Sequence, residues 1–437
     1  MNWKLKYGRK NNYFKNMNIV FAFRVIHAFF ALVILYFISQ YLSPVQQGWY
    51  YTFLSFSALI YLFDFGLSTA LVHISAIEFA KSKWGMNGAI IGGDTKRFED
   101  FINIAFHKYI KLAFFYFFII FPFGILYFNL SQSSQDIFWF IPWIIHIISA
   151  ALSLICFPFI NIIEGTGNIK EIYKLKIIQV SLGTILCCIF IYFNNPLIAV
   201  SMILLSLFLT TILWLLIYRK NNLTSVLKIK GKFNWKENVD PFKNKIGLTF
   251  LGSYLFTQIY TPILFYYEDP SLAGKFGLSL AIANMVGIIS SSWITINIPK
   301  MTKAVAEKEF KFFKRLFMKS FLKSVVFLIL SLITLIVFYL FFEKYEITNR
   351  LLDFYSFIGL LVIILIMHII NSIVIYLRCF KKEPLVIIHF VCSVVTLFIG
   401  ILFIPHYSVN GLISIILIIQ ILIALPISII RLKKFSY

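Results

Sequence analysis

Residues 41–71 read YLSPVQQGWYYTFLSFSALIYLFDFGLSTAL. Pro44 and Gly48 suit a tight turn that feeds a helix. A long apolar run follows, interrupted by one acid, Asp64. The opening recurs 226 residues later: Tyr41-x-x-Pro44-x-x-x-Gly48-x-Tyr50 is matched by Tyr267-x-x-Pro270-x-x-x-Gly274-x-Phe276. Each copy falls between the first and second apolar runs of one half of the chain. This repetition predicts two related halves.

Outward from this stretch the chain is apolar throughout. Of 437 residues 60% are hydrophobic and only 13% charged, whereas soluble domains sit near 45–50% apolar. A water-soluble globular protein is excluded. A transmembrane helix needs about 20 mostly apolar residues. Twelve such runs are present, at 18–42, 49–74, 108–130, 138–163, 175–193, 197–217, 246–266, 272–297, 320–342, 351–377, 384–404 and 409–430. A membrane barrel would show alternating segments of about ten residues instead. The first run is too long for a signal-peptide core and carries Arg24 and His27, so it is expected to be a retained span.

The expected fold is all-α and polytopic, with about 12 transmembrane helices in two six-helix bundles. The longest polar stretch after the sixth run, 218–245, divides the chain into an N-terminal lobe (1–217), a linker and a C-terminal lobe (246–437). Six-span halves in the same orientation imply a pseudo-two-fold axis along the membrane normal, with the transport path between the halves.

The formal net charge is +22, and 36 of the 40 Lys and Arg fall in loops on one side of the predicted topology. Lys275, Lys344 and Arg350 fall on the other, and Arg24 lies within a span. That asymmetry places both termini in the cytoplasm. Scattered over many short loops, the basic residues suit membrane lipids and exclude a nucleic-acid partner. The 299–323 stretch, with eight basic residues among apolar ones, reads as a surface-lying helix on anionic lipid. Gly88–Gly93 lacks the Lys-Ser/Thr of a phosphate loop and reads as a flexible connection. Five cysteines without a CxxC pair and seven dispersed histidines predict no disulfide framework and no metal or other cofactor. His146 and His368 fall inside spans, where hydrogen bonding between helices is the leading reading and proton relay the other.

Charges within a membrane are costly and mark function or a partner. Asp64 is the one acid well inside a span and Arg24 its one basic counterpart. Both lie roughly 9–15 Å from the basic end of their antiparallel spans, so they are expected to meet. Arg24 reads as the contact for a substrate phosphate, and Asp64 as holding Arg24 or binding a coupling cation. Ser57, Tyr61, Asp64 and Ser68 share one helical side, as do Arg24 and His27, and Tyr254, Gln258 and Thr261. Asn284 and Ser291 are seven residues apart on span eight. The competing readings are snorkelling of Arg24 to the headgroups, a protonated or Arg-paired structural carboxyl at Asp64, and interhelical hydrogen bonding within a lobe for the polar faces. The candidate substrate-binding residues are Arg24, His27, Tyr61, Asp64, Ser68, Gln258, Lys275 and Asn284.

The 41–71 stretch resembles the first-loop and second-span signature of polysaccharide-export flippases, which belong to the multidrug/oligosaccharidyl-lipid/polysaccharide exporter superfamily. Its core is the Pro44, Gly48 and Tyr50 turn with Asp64-Phe-Gly66 and Ser68. EGTGNIKEIYKLKIIQ (164–179) is similar to that family's Glu-Gly-x-Gly stretch between spans four and five, and Gln179 fits its polar position in span five. DPSLAGKFGLSLAIAN (269–284) is similar to the loop and span that open the second half. With the span count, the resemblance covers nearly the whole chain.

The resemblance implies a flippase, not an enzyme, for undecaprenyl-pyrophosphate-linked oligosaccharides such as O-antigen units of lipopolysaccharide. It implies a bacterial inner membrane, alternating access, and surface-polysaccharide biosynthesis with a polysaccharide polymerase as partner. With no ATP motif, the energy would come from a coupling cation (Na⁺ or H⁺), the membrane potential or the substrate gradient. The family's cavity is expected to be cationic, but here Arg24 is the only deep cation, so a neutral glycan on a pyrophosphate fits better than a polyanionic one. The alternatives are a cation-coupled multidrug exporter of the same superfamily and an integral-membrane glycosyltransferase or polymerase. The first would have only Asp64 as a cavity acid, and the second would need catalytic groups in substantial outer loops.

Overall fold

The structure, a computed structural model, describes residues 2–131, 137–225, 233–343, 346–380 and 384–435. It is an all-α membrane protein. Ten helices are long and apolar enough to cross a bilayer: Ile19–Tyr41, Thr95–Leu130, Phe140–Gly165, Ile169–Tyr192, Pro196–Tyr218, Gly247–Tyr267, Pro270–Val305, Phe310–Phe341, Phe354–Cys379 and Val386–Lys434. An eleventh crossing is the pair Pro44–Asp64 and Leu67–Glu78, bent by 46°. Val386–Lys434 doubles back on itself. Ser408 has φ 52°, and His389 Nε2 lies 3.3 Å from Ser428 Oγ, whereas a straight helix would put those residues about 58 Å apart. Twelve crossings result among the described residues, matching the twelve apolar runs.

Two spans outrun their apolar segments. Thr95–Leu130 starts 13 residues before the run at 108, and Phe310–Phe341 starts ten before the run at 320. Periodicity of hydropathy ends at the bilayer edge, but helical hydrogen bonding need not. Asp94 caps the first of these helices by accepting from the Arg97 N–H at 3.0 Å.

The chain divides into two compact units: residues 1–42 with 56–250, and residues 43–55 with 251–437. These divisions fall at other places than 217 and 246. The first unit takes in the described part of the polar central stretch, and the second takes in the opening of span two.

In the first unit, spans four, five and six pack on one another, span three on four, and span one on five. At its basic end the Gly88–Gly93 stretch contributes one strand of a short hairpin. Lys83–Trp84 pairs antiparallel with Ile90–Ile91. The Trp84 indole donates to Thr166 Oγ1 at 2.8 Å, stacks on Phe79 at 4.7 Å and carries the Arg219 guanidinium on its face at 4.5 Å. Residues 233–239 dock on the same end: the Phe233 N–H donates to Asp100 Oδ2 at 3.0 Å, and Phe233 lies 4.9 Å from Phe101.

In the second unit, Ile294, Met301, Phe313, Phe317, Ile373 and Tyr376 form one apolar core, and Ile366, Ile370, Cys392, Ile415 and Ile419 another. Met301, Ala304, Phe313 and Phe317 face inward while all eight basic residues of 299–323 are exposed; the stretch is not one surface-lying helix, since Ile298–Ala306 ends at Glu307 and Phe310–Phe341 begins a span.

Candidate functional site

Span two is broken where its acid sits. Phe65 and Gly66 both take left-handed backbone, φ 44° and 75°, and a new helix starts at Leu67. A break inside a span leaves N–H groups without intrahelical partners. Asp64, just before it and buried, satisfies one of them. Its carboxylate accepts from the Ser68 N–H at 3.1 Å and the Ser68 hydroxyl at 2.8 Å. The Tyr109 hydroxyl of span three donates to it as well. A negative charge at a helix N-terminus is favoured, and the Lys243 ammonium also acts on this carboxylate electrostatically.

This corrects the expected Arg24–Asp64 pair. The carboxylate has Ser68 and Tyr109 as hydrogen-bond partners, and Arg24 acts on another group, the Tyr173 hydroxyl of span five. Around Tyr173 a charged cluster forms at the basic end of the first unit. Lys176 lies over the Tyr173 ring at 4.8 Å and bonds Glu164 at 2.7 Å. Phe23, one residue before Arg24, meets the Tyr173 ring edge-on at 5.5 Å and the His27 ring at 5.8 Å. Lys176 and Glu164 thus lie beside Tyr173, and the turn of span one that carries Arg24 packs on the same ring through Phe23.

The rest of the polar face of span two divides. Ser57 Oγ lies 3.3 Å from His146 Nε2, and His146 Nδ1 lies 3.4 Å from Ser201 Oγ. The fully buried His146 thereby ties spans two, four and six. His368 does the same in the second unit: Nε2 lies 2.7 Å from Ser324 Oγ, which donates to the Ser290 carbonyl at 2.6 Å. These geometries fit helix packing. Tyr61 remains exposed at 55%.

In the second unit, Gln258, Lys275 and Asn284 are half-buried. Gln258 sits where span seven breaks between Thr257 and Tyr260. Pro262 contributes to that break, because it has no N–H to offer the Gln258 carbonyl. Of the eight candidates, Arg24, His27, Tyr61, Asp64 and Ser68 belong to the first unit and the other three to the second. The structure joins Asp64 to Ser68 and places Arg24 and His27 beside span five.

Three residues at these sites escaped the sequence reading, Tyr109, Tyr173 and Lys243, and Glu164 entered it only as part of the Glu-Gly-x-Gly stretch. Glu164 and Lys176, twelve apart at the ends of adjoining spans, offered the one usable signal, a compensating charge pair. The Glu-Gly-x-Gly stretch is also where spans two and four touch. A side chain on Gly165 would start 1.9 Å from Ser75 Oγ and 2.2 Å from the Val72 carbonyl. Among the described residues no three His, Cys, Asp or Glu side chains cluster as a metal site would need.

No family model and no curated protein matches the sequence. Solved structures do match. An inward-facing multidrug resistance MATE family transporter of the MOP superfamily superposes with a TM-score of 0.65 at 14% identity, covering 94% of this chain and 100% of that one. The lipid II flippase MurJ, inward closed, gives 0.62 at 16% identity, covering 96% and 87%. A point mutant of the Vibrio cholerae MATE transporter VcmN gives 0.57 at 15% identity, covering 97% and 98%. At these identities the likeness shows the fold, which is that of MOP-superfamily transporters with two six-helix halves.

Proposed function

We propose that this chain is an alternating-access flippase for a lipid-linked oligosaccharide that carries a pyrophosphate. The observation that carries the reading is the cluster at the basic end of the first unit. Arg24, Lys176 and the Tyr173 hydroxyl supply two cations and a neutral donor beside the carboxylate of Glu164. A pyrophosphate arriving at that end would meet charge-assisted donors, and Lys176 could exchange Glu164 for it. The polyprenyl tail stays in lipid, so no long alkyl chain has to enter water.

The topology we propose has both termini cytoplasmic and the chain in a bacterial inner membrane, resting on the 36-of-40 asymmetry of Lys and Arg. The substrate is an O-antigen unit or another surface-polysaccharide unit with a neutral glycan, handed on to a polysaccharide polymerase. The lobes correspond to residues 1–217 and 246–437 around the 218–245 linker. Gln258, Lys275 and Asn284 are the second half's contribution to substrate contact.

A second reading, cation-coupled multidrug export, draws on the MATE structures among the neighbours. It would require Asp64 to bind the coupling cation. Asp64 is already engaged by Ser68, Tyr109 and a helix N-terminus, which leaves its charge less available.

The test expresses Arg24→Ala and Asp64→Ala in a flippase-null host and measures surface glycan. Arg24→Ala is expected to abolish it at normal protein level. Normal glycan at normal protein levels in both variants would sink the assigned roles, and loss of protein from the membrane in Asp64→Ala would make that residue structural.

A further inference from the structure

The basic ends of the two units differ in where their counter-charges come from. In the first unit three bases at span ends meet the protein's own acids: Arg97 pairs with Glu78, Lys176 with Glu164 and Arg219 with Glu171. In the second unit the eight basic residues of 299–323 share their stretch with only Glu307 and Glu309, and Glu307 pairs with Lys303 at 3.5 Å. Among the described residues neither Lys319 nor Lys323 meets a carboxylate. Depth sets these two apart from the other six. The apolar run of span nine begins at 320, so Lys319 and Lys323 straddle the bilayer edge, whereas Lys311 and Arg315 lie roughly 7–14 Å further out along the helix. Four residues apart, Lys319 and Lys323 sit one above the other on an exposed ridge that continues into Val326 and Leu330. Like charges at that spacing repel. The end of span eight completes a niche beside them. The Asn297 amide donates to the Trp293 carbonyl at 3.1 Å and to Ser320 Oγ at 3.0 Å, holding the two span ends together. The Lys323 ammonium then lies over the Trp293 indole, 5.7 Å from the ring centre, and that indole is still 44% exposed.

We propose that this niche holds the headgroup of an acidic phospholipid, with its phosphate between the Lys319 and Lys323 ammoniums and an acyl chain along Val326 and Leu330. A phosphate there replaces repulsion between the two lysines with charge-assisted hydrogen bonds to both. It supplies from the bilayer the negative charge that the second unit does not supply itself. An indole with an apolar body and a polar edge suits the ester layer just inside the headgroups, and basic niches between spans are a known form of anionic headgroup site. Asn297, the amide beside the lysines, is committed to Trp293 and Ser320. The niche is therefore built to grip a phosphate and not a sugar, which favours a resident phospholipid over a lipid-linked glycan. The proposal does not depend on which cargo the protein moves.

The experiment titrates the purified full-length protein, in a neutral detergent, with phosphatidylglycerol or with phosphatidylcholine and reads bound lipid by native mass spectrometry. A lysine near a membrane surface contributes about five-fold in affinity for anionic lipid. Replacing both, as Lys319→Gln with Lys323→Gln, should weaken phosphatidylglycerol binding on the order of ten-fold or more and leave phosphatidylcholine unchanged. Lys311→Gln with Arg315→Gln removes the same charge from the same ridge beyond the bilayer edge and should weaken it by less than about three-fold. Equal losses in the two double variants would show diffuse attraction to a basic surface and overturn the site, as would a wild type that binds the two lipids alike. If the Lys319 and Lys323 double variant keeps phosphatidylglycerol but loses a polyprenyl pyrophosphate lipid, the two lysines serve the cargo and the proposal falls. The phospholipid titration contains no cargo, so a failed glycan assay would leave its result intact.

Discussion

Gly48→Ala is the sharpest perturbation the structure offers. The added methyl would sit 1.8 Å from the Pro270 oxygen, 2.5 Å from its carbonyl carbon and 3.1 Å from its Cα. Backbone atoms cannot rotate away, so ordinary contact is regained only if the two helices part by about 1.5 Å. Overpacking of this kind costs about 1–3 kcal/mol. Parting also stretches the 2.9 Å bond from Gln47 to Gly274 out of range, and a weakened buried hydrogen bond adds about 0.5–1.5 kcal/mol. Alanine's higher helix propensity returns about 1 kcal/mol of this. The net loss of stability is therefore about 0.5–3.5 kcal/mol. The assay is thermal unfolding of the purified protein, in which Gly48→Ala should lower the melting temperature. An unchanged melting temperature would refute the packing argument itself, because the methyl would then have been accommodated without cost.

Gly165→Ala should lower the melting temperature through the same kind of clash, against Ser75 and Val72, at about 1–3 kcal/mol. Gly167→Ala, with open space around it but φ +92°, should cost only its backbone strain, about 1–2 kcal/mol. Tyr109→Phe removes one donor to the buried Asp64 carboxylate and should cost about 1.5–3 kcal/mol in thermal unfolding. In a cycle with Asp64→Asn the two should couple by about 1 kcal/mol or more, and simple additivity would place Tyr109 outside the acid's network. Lys176→Ala should weaken binding of a pyrophosphate-bearing polyprenyl lipid by about five- to ten-fold while sparing a neutral polyprenol, as loss of one charge-assisted contact requires. Trp235→Ala removes an indole that stacks on Phe101 and sits under Lys108. Limited proteolysis should then cut near 233–239, where the wild type resists.

The spans were legible because each is a one-dimensional signal: about 20 apolar residues must cross the bilayer whatever they pack on. The repeat was legible for the same reason, since Pro44, Gly48, Pro270 and Gly274 carry local backbone requirements. What the pattern could not carry was assignment of partners. Nothing in 41–71 says that Gly48 rests on Pro270 rather than within its own half, since close approach of two backbones leaves only glycine as a trace. Asp64 was conspicuous as a lone acid, but its partners come from tertiary approach. Tyr109 lies 45 residues on, and Lys243 stands in a polar stretch that read as linker. Proximity of two adjacent antiparallel spans made Arg24 the obvious counterion. The broken helix at Phe65 and Gly66 offered the carboxylate nearer donors. The Ser408 turn was readable only as a gap between two apolar runs, because nothing local marks a residue at φ 52°.

Separating Asp64 from Arg24 changes what the charges imply about cargo. Had the two been paired, the pair would be neutral and a substrate phosphate would have to displace Asp64 from a helix N-terminus that it satisfies. With Asp64 committed to that cap, an anion arriving at the basic end would instead meet the Lys176–Glu164 pair beside Tyr173. On the proposed flippase reading the pyrophosphate replaces Glu164 at Lys176, so Glu164 sets how much negative charge this end accepts. The idea is measurable: Glu164→Gln, which removes one negative charge beside Lys176, should tighten binding of the pyrophosphate lipid and extend tolerance toward acidic glycans. If it instead weakens binding of both, Glu164 positions Lys176 and does not compete with the substrate for it.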